Sequence, residues 1–137
     1  MLFRSTNGSS QVSATSLNAA NTPSFGTPTA TVDGFTVQIT NYDANFNYGV
    51  TASLGSASIS GTGLVTVSGL TPNTSSVATI TTSRTNYAGG SSQISASSLN
   101  AANTPSFGTP VATVDGYTVQ ITNYDANFNY GVNASLG

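Results

Sequence analysis

The chain has no lysine, glutamate, histidine, cysteine or tryptophan among its 137 residues. Arg4, Arg84, Asp33, Asp43, Asp115 and Asp125 hold all of its side-chain charge. Charged residues make up 4% of the chain, against about a quarter in an ordinary soluble domain. Two scattered arginines cannot line a groove that neutralises phosphates, so binding to a nucleic-acid backbone is excluded. General acid-base and nucleophilic catalysis lose their usual side chains, because only aspartate and tyrosine remain to titrate, and no enzyme is expected. Thiolate and imidazole metal sites are impossible, and no cofactor is expected. Without cysteine there is no disulfide, which leaves the compartment open. No run approaches the ~20 apolar residues of a membrane span, so no membrane insertion is expected. The start, Met1-Leu2-Phe3-Arg4-Ser5, lacks the apolar stretch of a signal peptide, so any export signal is expected outside this chain.

Serine and threonine fill about a third of the chain, so hydroxyls and amides must keep it soluble. A repeat dominates the sequence. Residues 16–55, SLNAANTPSFGTPTATVDGFTVQITNYDANFNYGVTASLG, return as residues 98–137, with Thr29 replaced by Val111, Phe35 by Tyr117 and Thr51 by Asn133. The separation of residue 98 from residue 16 sets a period of 82 residues. That is too long for a solenoid repeat and suits one small domain per copy. Residues 9–15, SSQVSAT, match residues 91–97, SSQISAS. The expected organisation is therefore the last strand of a preceding repeat in 1–15, a complete repeat in 16–97, and the first half of the next repeat in 98–137. A complete domain is expected only over about 22–97.

Apolar and polar residues alternate along the repeat, the pattern of half-buried strands. Phe35, Val37 and Ile39 form one such set; Phe46, Tyr48, Val50 and Ala52 another; Val65 and Val67, Ala78 and Ile80, and Ile94 and Ala96 follow. Turn residues separate them at Asp33-Gly34, Asp43-Ala44-Asn45, Gly61-Thr62-Gly63, Thr71-Pro72-Asn73 and Ala88-Gly89-Gly90. No stretch carries a helical period with caps. About seven short strands predict an all-β antiparallel sandwich, with a core containing Phe35, Val37, Ile39, Tyr48, Val50, Val65, Val67, Leu70, Ile80 and Ile94.

Residues 67–92, VSGLTPNTSSVATITTSRTNYAGGSS, resemble the second half of a fibronectin type III domain, in which a strand runs into a Leu-x-Pro turn, then a strand, then a Gly-containing loop. Leu70 and Pro72 fall on that turn, and Asn86, Gly89 and Gly90 on that loop. The family's corner tyrosine falls at Ser76 and its early tryptophan is missing, so the resemblance extends equally to other bacterial immunoglobulin-like families of this architecture. The whole unit is similar to repeats of giant surface proteins of high-GC Gram-positive bacteria. That resemblance implies an immunoglobulin-like sandwich repeat, an extracellular or cell-surface location, and neighbouring repeats as partners.

Two sets of residues are candidates for binding. Asp43 and Asp125, each in an Asp-Ala-Asn triplet, are weak metal candidates. Calcium takes six to eight oxygens, and neither cluster holds a second acid, so a turn role is the stronger expectation. Tyr42, Tyr87 and Tyr124 lie near expected loops and could stack on a sugar ring, whereas Phe46 and Tyr48 share parity with Val50 and should face the core. The expected function is a structural spacer or stalk module of an adhesin-like surface protein. The alternative is a module that presents loop tyrosines to a cell-surface glycan or protein. The half-repeat 98–137 lacks an opposing sheet and is expected to compete for residues 56–97, in its own chain or in a neighbour.

Overall fold

The computed structural model describes residues 8–137, which fall into two compact units, the first ending at Asn100 and the second running over Ala101–Gly137. In the first unit the alternating runs become strands β1 (Thr29–Thr31), β2 (Gly34–Gln38), β3 (Asn47–Ala52), β4 (Ser56–Ile59), β5 (Leu64–Ser68), β6 (Ser75–Ser83) and β7 (Gly90–Ser97). They form a four-stranded sheet in the order β1-β2-β5-β4 and a three-stranded sheet in the order β3-β6-β7. Every strand pairing is antiparallel, and the described residues contain no helix.

The two sheets share one core, an arrangement consistent with a β-sandwich. Phe35 and Val37 of β2 lie opposite Val67 and Val65 of β5, so one face of the larger sheet is entirely apolar there. Ala78 and Ile80 of β6 meet it from the smaller sheet, with Ile39 and Leu70 closing its ends. Tyr48, Val50 and Ile94 pack against this core but stay partly exposed, because β3 and β7 are the edge strands of a three-stranded sheet. Phe46 keeps the expected parity: it precedes β3, is buried, and continues the alternation of Tyr48, Val50 and Ala52, packing on Tyr87 and Arg84 beside the main core cluster.

Small residues settle the close approaches. A Cβ on Gly34 would lie 1.8 Å from the Val67 carbonyl oxygen, so only glycine lets the start of β2 come this near β5. Ser76, where the resemblance puts a corner tyrosine, is buried on β6. Its hydroxyl donates to the Leu54 carbonyl at 2.7 Å and accepts from the Leu54 N–H at 3.1 Å, tying the β3–β4 connection to the smaller sheet.

The chain joins this unit at one pole and leaves at the other. At the first, here the proximal pole, Asn18 N–H donates to the Asn86 carbonyl and Ala88 N–H to that of Asn18, both at 2.9 Å. Thr82 and Ser92 hydroxyls then donate to the carbonyls of Asn21 and Pro23, each at 2.7 Å. At the distal pole Leu99 N–H donates to the Thr31 carbonyl at 2.9 Å and Asn73 N–H to that of Leu99 at 2.8 Å. The Ser98 hydroxyl donates to the Thr71 carbonyl at 2.7 Å. The two poles are separated by the nine-residue strand β6, about 26 Å long at ~3.3 Å per residue.

Of the stretch 1–15, expected to hold a strand of a preceding repeat, residues 1–7 lie outside the described residues, and residues 8–15 are exposed and form no strand. The second unit contains strands β8 (Val111–Ala112) and β9 (Tyr117–Thr118). Val111 pairs with Thr118 and Ala112 with Tyr117, the register of Thr29 with Thr36 and Ala30 with Phe35 in the first unit. The bridge Phe107–Ile121 likewise repeats Phe25–Ile39.

Candidate functional site

The candidate residues of the first unit gather at its proximal pole. Asp43 begins an Asx turn: its Oδ1 accepts from the N–H and the side-chain amide of Asn45, both at 2.9 Å, and its carbonyl accepts from Phe46 N–H at 3.0 Å. These Asn45 bonds, the backbone one first, hold the Asp43 carboxyl below the usual aspartate range, with a smaller contribution in the same direction from the Arg84 charge. The turn carries the chain back so that the Tyr48 hydroxyl accepts from Asp43 N–H at 3.0 Å and from the Asn21 side-chain amide at 3.1 Å. Among the described residues no three acidic, histidine or cysteine side chains come together. A cation at Asp43 would therefore have one carboxylate, already occupied by Asn45.

The tyrosines are engaged too. The Tyr42 ring stacks on that of Tyr48, centroids 4.8 Å apart and planes inclined by 28°. On another side it lies over Gly63, where a Cβ would come within 2.6 Å of it, and Gly63 holds φ +84°, which suits glycine alone. Tyr87 meets the edge of Phe46 at 5.0 Å, and the Arg84 guanidinium lies 4.8 Å from the Tyr87 ring centre and 5.5 Å from that of Phe46. A cation over two rings is held by their quadrupoles. Both Tyr42 and Tyr87 thus have neighbours on a ring face that a sugar would need. Sequence reasoning did not find the Arg84, Phe46 and Tyr87 cluster, because 38 residues separate Phe46 from Arg84 in the chain and only the packing of β3 against β6 joins them.

A further network was also not anticipated. The Asn41 side-chain amide donates to Asn21 Oδ1 at 3.0 Å and to the Thr22 carbonyl at 2.8 Å, and its Oδ1 accepts from Ser24 N–H at 2.9 Å. The signal was present in the duplicated segments NTPS and TNYD, whose asparagines recur as Asn103 and Asn123. The second unit repeats the ring stack, the Asx turn and the asparagine pair: Tyr124 stacks on Tyr130 at 5.0 Å, Asn127 donates twice to Asp125 Oδ1 at 2.9 Å, and Asn123 donates to Asn103 at 3.1 Å. Tyr124 is 60% exposed, the most open of the three candidate tyrosines.

Chemically, the pole offers hydroxyls, amides and aromatic rings, without a nucleophile paired to a base. No helix among the described residues is long and apolar enough to cross a membrane. No family model, no curated protein and no solved structure matches this chain.

Proposed function

We propose that the chain is a spacer module of a repetitive extracellular or cell-surface protein, in which copies of the 82-residue unit hold a distant functional part away from its anchor. The observation that carries this reading is the placement of the chain's entrance and departure at opposite poles of the first unit. A module threaded this way adds its full length to a string, whereas adjacent ends would fold the string back. By the period of the repeat, Asn100 is the counterpart of Asn18. Leu99 is still bonded to the distal pole, and Asn18 is already bonded to the proximal one. On that counting the connection between successive copies is short, which supports the spacer reading.

The immunoglobulin-like reading of the fold is supported by the strand order. A sheet β1-β2-β5-β4 facing a sheet β3-β6-β7 is the four-plus-three order of an immunoglobulin constant-type sandwich. A surface location is supported by the scarcity of charge and the abundance of Ser, Thr, Asn and Gly. Glycan binding through loop tyrosines has less support, since Tyr42 is stacked on Tyr48, Tyr87 lies under the Arg84 guanidinium, and both sit at the pole where the preceding chain arrives.

Polypeptides of increasing copy number provide the test, with lengths measured by small-angle scattering. Contour length should rise linearly, by at least the ~26 Å of β6 per copy. Growth as the square root of copy number, as for a flexible coil, would defeat the spacer reading. Binding of the intact unit on a glycan array would replace it with the binding-module reading.

A further inference from the structure

The smaller sheet of the first unit has one long edge with nothing bonded to it. β7 pairs with β6 through all eight of its residues, from Ser97 opposite Ser75 to Gly90 opposite Thr82, without a bulge. Among the described residues its backbone bonds to no other segment. Every second residue of an antiparallel strand turns its N–H and carbonyl away from its partner, so β7 presents a row of free donors and acceptors. Residues 16–97 contain the whole of one 82-residue period, so the row is bare with every part of the repeat in place. Sheet edges are commonly shielded by brevity, lysine, proline, a bulge or an inward charge. β1 and β4 have only three and four residues, and β3 has β4 beside it. β7, GSSQISAS, has none of these guards. Only its Gly90 end is hemmed in, where the Ser92 hydroxyl donates to the Pro23 carbonyl at 2.7 Å and the Asn21 carbonyl leaves no room for a Cβ on Gly90. The open span is 93–97. Its inward side chains, Ile94 and Ala96, pack on the core yet stay partly exposed, and the outward Gln93 and Ser95 are exposed.

We propose that the β7 edge binds the β7 edge of a second copy of this chain, antiparallel, about a two-fold axis at Ser95. The span is self-complementary in that register. Ser95 faces Ser95, Gln93 faces Ser97, and on the core side Ile94 faces Ala96, so each partly exposed apolar residue gains an apolar neighbour. A two-fold contact is isologous, and a charged strand resists it when like charges come opposite each other; β7 carries no charge. Antiparallel pairing is also slightly more stable per residue than parallel pairing. The product is one six-stranded sheet in the order β3-β6-β7-β7-β6-β3. A single contact over residues 93–97 buries less than the ~1,200 Å² of a stable interface, and its strength comes from recurrence once per repeat. β7 runs from the proximal pole to the distal one, so paired copies lie with their poles reversed. The contact rests on β7 and not on the spacer role; where both hold, associated strings run in opposite directions, as from facing anchors.

The chain has no cysteine, so a single introduced thiol reports one contact. In the full chain, Ser95→Cys should form a disulfide-linked dimer on mild oxidation, since facing residues of an antiparallel pair have Cα atoms about 4.5–5.5 Å apart, within disulfide reach. Thr81→Cys is the comparison, an exposed position on β6 that the pairing does not bring near its own copy. Ser95→Cys should crosslink at least about tenfold faster, because paired edges hold the two thiols at a high effective concentration. Adding Gln93→Lys and Ser97→Lys to Ser95→Cys sets like charges opposite each other and should remove that advantage. Adding Gln93→Lys and Ser97→Asp instead sets opposite charges there and should restore it. Equal rates for Ser95→Cys and Thr81→Cys overturn the proposal, and so does a doubly basic variant that crosslinks as fast as the charge-paired one. Neither result depends on the contour lengths that test the spacer role.

Discussion

Ser76 occupies a position where one hydroxyl satisfies both backbone groups of Leu54, so its loss should be felt beyond its size. Ser76→Ala removes the partner of both the N–H and the carbonyl of Leu54, which are only part-buried, so the cost should be at or below the ~1–3 kcal/mol of a fully buried unsatisfied group. Urea unfolding of the full chain should show a correspondingly lower midpoint, and an unchanged midpoint would mean that water replaces the hydroxyl. Asp43 makes an opposite kind of prediction, because its effect is confined to acid. Its carboxyl titrates lower in the folded chain than in the unfolded one, so its contribution is complete above the unfolded value of about 3.9 and is lost as the pH falls through the folded value. The difference in melting temperature between the chain and its Asp43→Ala variant should be constant from pH 7 to about 5 and shrink only below about pH 4. A gap that narrows near neutrality would assign the effect to some other group. Because Asp43 stands without a second acid, EDTA should leave the melting temperature where it was; a drop of many degrees would restore calcium at Asp43 and Asp125.

At the scale of elements, the duplication acts as an internal control. Residues 47–52 are NYGVTA and form β3 on β6; residues 129–134 are NYGVNA and form no strand. The sequences differ at one exposed position, Thr51 against Asn133, so what separates them is the presence of β6 as a ladder partner. By contrast β1 and β2 recur as β8 and β9, shorter but in the same register, because the two-residue Val32-Asp33 turn and its copy Val114-Asp115 link partners that are adjacent in sequence. Amide exchange should follow this division. Amides of β3 that donate to β6 should be slow, and those of 129–134 should exchange near the rate of an open chain. Slow exchange at 129–134 in the dilute, unaltered chain would mean that the segment has found a partner. The alternation was legible in both copies from the start. What the alternation at Phe46 could not show was its neighbours, Tyr87 and Arg84, which come from a distant part of the chain.

For the whole molecule, scarcity of charge removes most of the electrostatic contribution to stability. Two arginines and four aspartates leave few pairs for salt to screen, and the Debye length falls from about 10 Å at 0.1 M salt to 3 Å at 1 M. The thermal midpoint should therefore move little between low salt and 1 M NaCl. A large change would point to a charge network not visible in this fold. The arrangement of the two poles matters more at this scale, since on the spacer reading it lets the 82-residue period translate into length.

The sequence by itself determined the all-β class, the repeat, the strand parity and most of the core, because alternation and turn chemistry are local and each strand carries its own pattern. It also determined what the chain lacks, since a missing side chain is missing in any conformation. Only the tertiary structure decided that β4 joins the sheet of β5 rather than that of β3, that Arg84 lies over Phe46 and Tyr87, and that the chain enters and leaves at opposite poles. Those outcomes depend on which distant segments cover the same apolar face. Residues 129–134 show the limit of local information: with nearly the sequence of β3 and no opposing strand, they stay outside any sheet.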